Sequence, residues 1–180
     1  MISQNHTKAK AILYLILVTF AVLISMPANS MTNAEIEGAL SSYKEDGFKY
    51  VGKAGAGMWK VQYSRPGWEF GWEVIVATTD SNPDNSIVVI GTTVISSKAL
   101  SSELMMKLLD ENSLDTNPGS YSVFKNDDVY FVQYAIKVPQ SLLINDVLKE
   151  GIGFVAGYSN KRVRTLEKML PEGQSTITTK

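Results

Sequence analysis

The chain contains no cysteine, and its one histidine, His6, lies among the first thirty residues. Past residue 30 there is therefore no thiol nucleophile, no disulfide and no imidazole. Structural zinc sites and the usual three-ligand catalytic zinc sites draw on Cys and His. Serine–histidine and cysteine–histidine nucleophile pairs need an imidazole. Charge of either sign is also in short supply, with 17 basic against 18 acidic residues. The only long apolar run, Ala11 to Met26, is shorter than the ~20 residues of a comfortable membrane span.

That run reads as a targeting segment. Lys8 and Lys10 precede it, Pro27 breaks it, and Ala28-Asn29-Ser30 places small residues at −3 and −1 of a cut before Met31. The competing reading is an uncut N-terminal anchor. Without a cysteine beside the cut, a lipid-anchored lipoprotein is excluded. Cleavage would deliver the chain to the periplasm or the exterior. Residues 31–180 then carry 15 basic against 18 acidic side chains, a net charge of −3. Such a balance offers no general electrostatic handle for nucleic acid, and no polybasic patch for an acidic membrane once the leader is gone. At 150 residues an exported domain can bury ~70% of its unfolded surface, enough to be held by its core without disulfides.

Local signals place the elements of one domain over 31–170, followed by a polar tail, 171–180, that reads as disordered. Thr32 and Glu35 form an S/T-x-x-E capping box, and Ile36, Leu40 and Tyr43 continue it as an apolar stripe up to Asp46-Gly47. Met58 to Ser64 and Trp68 to Thr79 flank a Pro66-Gly67 turn. A hairpin centred there sets Tyr63 opposite Phe70, Val61 opposite Trp72 and Trp59 opposite Val74, with Lys60 opposite Glu73 on the other face. Phe48 to Lys53 is an optional further strand. Ile87 to Ile95 is apolar on both faces, the pattern of a central strand covered on both sides. A second helix runs from Ser101, as N-cap, to Asn112, with Leu104, Met105, Leu108 and Leu109 as its buried stripe.

Asn117-Pro118-Gly119 turns into a second hairpin, Ser120 to Lys125 and Asp128 to Val138. There Tyr121 and Val123 fall opposite Val132 and Tyr130, while Phe124, Val129 and Phe131 crowd the other face. A last helix spans about Ser141 to Leu170 along Leu143, Val147, Gly151, Val155, Tyr158 and Leu166. Lys161, Arg162, Arg164 and Lys168 load its C-terminal end, where the helix dipole favours cations. The order α-β-β-β-α-β-β-α describes an α+β fold with a mostly antiparallel sheet.

Leu108-Leu109-Asp110-Glu111-Asn112, then Gly119-Ser120-Tyr121 entering a hairpin, Asp128-Val129-Tyr130 on its return and a long closing helix resemble the YbjN family. The matching stretch is Leu104 to Met169; the first half matches in element order only. The resemblance implies a type III secretion chaperone-like fold and a non-enzymatic, often dimeric protein-binding module with no cofactor. No catalytic residue is there to carry over. The leader is a departure, since type III chaperones work in the cytoplasm; a bacterial periplasmic protein fits it better.

Chemistry-bearing patterns have plainer readings. Asp80-x-Asn82-x-Asp84 imitates a calcium loop, but position six is Asn85 rather than Gly and position twelve is Gly91 rather than Glu, so a polar turn is preferred. Gly55-Ala56-Gly57 lacks the rest of a phosphate loop and reads as a turn into a strand. Glu69 and Glu73 on one strand would stand ~13 Å apart, against the ~5–9.5 Å of paired glycosidase carboxyls. Asp127-Asp128 is hairpin-tip chemistry. Gly153-x-x-x-Gly157 is read as close helix–sheet packing rather than a membrane motif. Trp59, Tyr63, Trp68, Phe70 and Trp72 are either a stacking platform or one face of the core, Trp68 being the most exposed by its place at the turn.

The leading expectation is an exported protein-binding or chaperone-like module, self-associating as a homodimer or holding another protein. Trp68, Phe124, Val129 and Phe131 are its candidate contact residues. A small-ligand carrier with an aromatic-lined pocket and a carboxylate-only hydrolase are the alternatives.

Overall fold

A computed structural model describes residues 31–43, 47–69, 71–78, 86–115, 117–139 and 145–171. The first helix, α1 (Asn33–Ser42), begins on the expected box. Thr32 Oγ1 accepts from the Glu35 amide at 3.3 Å, and Glu35 Oε2 accepts from the Thr32 amide at 2.7 Å. Four strands follow: β1 (Phe48–Gly55), β2 (Met58–Tyr63), β3 (Trp72–Thr78) and β4 (Ser86–Ser96). Then come α2 (Ser102–Asn112), β5 (Ser120–Asn126), β6 (Val129–Pro139) and α3 (Asn145–Glu167). The optional first strand is thus a full member, paired antiparallel with β2. The sheet is antiparallel throughout, in the order β1-β2-β3-β4-β6-β5.

Both long-range hairpins keep the expected faces but slip in register by two residues. Tyr63 pairs with Trp72, Val61 with Val74 and Trp59 with Val76. The turn itself forms: Trp68 N donates to Arg65 O at 3.1 Å, with Gly67 at φ +85° where only glycine is unstrained. β3 begins only at Trp72, and the Trp68 ring is taken up against Tyr63, edge to face at 5.5 Å. A slip of two returns every side chain to its own face. Lys60 and Glu73 still meet, at 3.1 Å, but as diagonal rather than direct neighbours, since Lys60 pairs with Ile75. In the second hairpin Tyr121 pairs with Tyr134 and Val123 with Val132, around Asp127-Asp128.

The helices gather on one face. Ile36 and Leu40 of α1, Leu104 and Leu108 of α2, and Leu148, Ile152, Val155, Ala156, Val163 and Leu166 of α3 share a single buried cluster with Trp59, Val61, Tyr63, Trp72, Val74, Val89 and Tyr134 of the sheet. Gly91 lets α3 descend onto β4: a methyl there would stand 2.8 Å from Val155 Cγ1 and 3.1 Å from Ser159 Oγ. Two expectations fail here. β4 is central, but among the described residues the helices cover it on one side only, and Val88 and Ile90 on the other side stay half-buried. On α2, Met105 and Leu109 are exposed and the buried stripe is Leu104, Leu108 and Glu111, because α2 meets the sheet at its β5 edge and only a narrow face reaches the core.

Candidate functional site

A groove of about 1210 Å³ runs along α3, walled on its other side by the start of β1 and the β2–β3 turn. Its α3 lining is Asp146, Lys149, Glu150, Gly153, Phe154, Gly157, Tyr158 and Lys161, one continuous helical stripe. The facing wall is Phe48, Tyr63, Arg65 and Pro66. Gly153 and Gly157 face this wall with room to spare for a methyl. A methyl on Gly153 would touch the Tyr63 hydroxyl at 3.5 Å and an Arg65 nitrogen at 3.7 Å, and one on Gly157 would touch the Trp68 ring at 3.9 Å. The close helix–sheet packing expected of this pair is not required: its neighbours are Tyr63 at the end of β2 and Arg65 and Trp68 of the turn, at distances an alanine would tolerate.

Arg65 is held by its neighbours. Its Nε donates to the Tyr63 hydroxyl, and its guanidinium carbon lies 5.4 Å from the Tyr63 ring and 6.0 Å from the Trp68 ring. At the other end of the groove the Lys149 ammonium sits 5.6 Å from the Phe48 ring.

Beside the groove lies a buried polar network that the sequence did not announce. Glu111, 3% exposed, accepts from Arg162 Nη2 at 2.9 Å and from the Tyr158 hydroxyl at 2.9 Å, with Lys107 at 3.7 Å. Burial, and then the bond to Glu111, pushes the Tyr158 phenol up; Arg162 stays above its usual value despite burial, held there by Tyr158 and Glu111. Tyr134 stacks on Tyr158 at 4.2 Å and is pushed up by burial to about 12. One residue further on, Asn112 Nδ2 donates to Tyr121 O at 2.9 Å, and Asn112 Oδ1 accepts from Tyr121 N at 2.5 Å. The closing Asn of the Leu-Leu-x-x-Asn pattern therefore pins α2 to the backbone of β5.

The candidate contact residues fall in two places. Trp68 is half-buried beside Arg65, on the helix side of the sheet. Phe124 and Phe131 stack at 4.7 Å with an interplanar angle of 7°, on the face turned away from the helices, and Val129 shares that face near the hairpin tip. Phe124 is 43% exposed. The same open face carries Ile75, Ala77, Val88, Ile90 and Ala135 in adjoining positions, ringed by Lys60, Gln62, Glu73, Gln133 and Lys137. Of the aromatic group, Trp59, Tyr63 and Trp72 are core, the plainer reading; Phe70 is outside the described residues.

Glu69 and Glu73 do not share a strand. Glu69 precedes β3 and pairs with Arg164 of α3, while Glu73 pairs with Lys60. The loop with Asp80, Asn82 and Asp84 lies outside the described residues, as do the leader, Ser141, Leu143 and residues 172–180. Asp127, at φ +51°, occupies the hairpin tip. Among the described residues no three acidic or histidine side chains gather as for a metal ion, and no helix is long and apolar enough to cross a membrane.

These features define an α+β fold of the type III secretion chaperone-like kind. The chain is similar in structure to one chain of the ExsC–ExsE complex, with a TM-score of 0.50 at 9% identity, over 79% of this chain and 98% of that one. No protein-family model matches the sequence, and no curated protein does.

Proposed function

We propose that this is an exported, non-enzymatic protein-binding module of a bacterial periplasm, self-associating or holding another protein in a chaperone-like manner. The observation that carries the reading is the sheet face that no described helix covers, where the half-buried Ile75, Val88, Ile90 and Ala135 adjoin and the Phe124–Phe131 stack stands at one end. Contiguous apolar surface of this kind marks interaction sites. The similar chain was crystallised in a complex, which supports the same role here. The YbjN resemblance of residues 104–169 supports it too.

Size-exclusion chromatography with light scattering tests the reading. The expected result is a dimer, or a co-purifying protein, lost in Ile90→Lys. A strict monomer that retains nothing from periplasmic extract would sink it. Export is tested separately, by the mass of the protein released on osmotic shock, which should begin at Met31.

One observation keeps the hydrolase alternative in view: Asp146 and Glu150 face the same groove one helical turn apart, a separation of ~6 Å between their Cβ atoms. No turnover of chromogenic glycosides or esters is expected. Turnover abolished by Glu150→Gln would replace the binding reading.

A further inference from the structure

The sheet face that no described helix covers carries its own counterpart. On β6 the residues of this face are Val129, Phe131, Gln133, Ala135 and Lys137, spaced ~7 Å apart along the strand. Gln133 is the middle one. Towards the β5–β6 tip the face is high, because Phe131 and Phe124 stack there at 4.7 Å and Phe124 is 43% exposed. At the same distance the other way it is low, because the paired residues are Ala135 and Ser120.

The ends differ in charge as well as height. Beyond the aromatic pair lie Val129 and the tip acids Asp127 and Asp128; beyond the small pair lies Lys137. Lys137 is exposed and forms no ion pair with a described residue. Asp128 has 99% of its side chain exposed, with Lys125 at 3.4 Å.

A two-fold axis along the Ser122–Gln133–Thr92 row, between two sheets packed face to face, matches each feature to its complement. Phe131 and Phe124 of one copy come over Ala135 and Ser120 of the other, large against small, as inner faces of packed sheets interdigitate. Lys137, ~13 Å from Gln133, comes over Val129, ~13 Å the other way, beside Asp127 and Asp128. Each contact occurs twice. The row on the axis is uncharged at its centre, where Gln133 Nε2 donates to Thr92 Oγ1 at 3.2 Å. Glu73, which extends that row, already has Lys60 at 3.1 Å.

The area suits such a pair. Six strands at ~4.8 Å, about seven residues deep at ~3.3 Å each, present about 700 Å². A stable interface takes ~800 Å² from each partner. A foreign surface would have to reproduce these heights and charges independently, whereas a second copy supplies them by symmetry.

We propose that the open sheet faces of two copies of this chain pack together about this two-fold, with Lys137 of each held by the Asp127-Asp128 tip of the other. This rests on the protein-binding reading and adds to it the partner and the geometry.

Light scattering on the parent and on two charge variants tests it. The parent is expected as a dimer. Lys137→Glu and Asp127→Asn/Asp128→Lys should each raise the dimer dissociation constant at least ~tenfold. Mixed together, the two variants should form a heterodimer. The reversed tip of one then meets the reversed position 137 of the other, and the two native groups meet each other. Loss of structure in either variant would not give that recovery. A parent dimer indifferent to both variants, or variants that stay monomeric when mixed, overturn the proposal and leave self-association by another surface. A monomeric parent overturns it too; if that monomer retains another protein, lost in Ile90→Lys, the protein-binding reading survives. A monomer that retains nothing defeats both.

Discussion

Glu111 should be the most costly single carboxylate to remove. It is 3% exposed and holds Arg162 and the Tyr158 hydroxyl, each at 2.9 Å. Deleting one partner of a buried ion pair costs ~3–5 kcal/mol, chiefly because the other charge stays buried without compensation. Arg162 has 28% of its side chain exposed and can recover some water, which points to the lower end. Lys107, at 3.7 Å and 44% exposed, adds at most ~1 kcal/mol. Glu111→Ala is therefore expected to lose about 3 kcal/mol, a large share of the ~5–15 kcal/mol that holds a domain folded. In thermal unfolding this is a fall of about 6–12 °C.

The assay is urea unfolding followed by tryptophan fluorescence, with m compared between variants to confirm that the same surface is exposed. The double variant Glu111→Leu/Arg162→Met removes both charges and should lie within ~1 kcal/mol of the parent. A loss below ~1 kcal/mol for Glu111→Ala, or a double variant no more stable than the single one, would refute the argument from an uncompensated charge.

Gly91→Ala should cost about 1–3 kcal/mol by overpacking against Val155, and pairing it with Val155→Ala should restore part of the loss, both read from urea midpoints. Thr32→Ala should cost ~1 kcal/mol through loss of the α1 cap, seen as faster amide exchange in residues 33–36. Burial raises the Tyr43 and Tyr134 phenols to about 12, above an unfolded value of ~10. Their stabilisation is then complete below pH ~10 and falls as pH climbs towards 12, by up to ~1.4 kcal/mol per unit for each. Absorbance at 295 nm should show these phenols ionising together with unfolding rather than before it; smooth ionisation of every tyrosine near pH 10 in a folded protein would contradict their burial.

What could be read from the chain beforehand was what depends on near neighbours. The Thr32–Glu35 box, the Pro66-Gly67 turn, the Ser101 cap and the alternation of faces in both hairpins all involve residues a few positions apart. The two-residue slip of the first hairpin arose where distant packing intervened: the Trp68 ring settles against Tyr63 and Gly157, nearly ninety residues on. That of the second is local: the turn closes on Asp127-Asp128, with Asp127 at φ +51°, rather than on Asn126-Asp127. The burial of Glu111 has no local signal, because its partners Tyr158 and Arg162 lie on another helix. The groove was not visible at all: Gly153-x-x-x-Gly157 pointed to helix–sheet packing, and the wall that faces it comes from β1 and the β2–β3 turn, far away in the chain. Met105 and Leu109 were misplaced because periodicity reports an apolar face and not how much of it the rest of the molecule can cover.

The two lateral strands have one more consequence. β1 is broken by irregularities between Tyr50 and Gly52 and between Lys53 and Gly55, and it carries Lys49 and Lys53. β5 has its Tyr121 amide and carbonyl already bonded to the Asn112 side chain. Each outer border of the sheet is thereby made a poor template for a further strand, the step by which proteins seed fibrils. The molecule can accumulate without stacking border to border, and under the proposed protein-binding role a partner would be held through side chains, its own backbone left free to pass on.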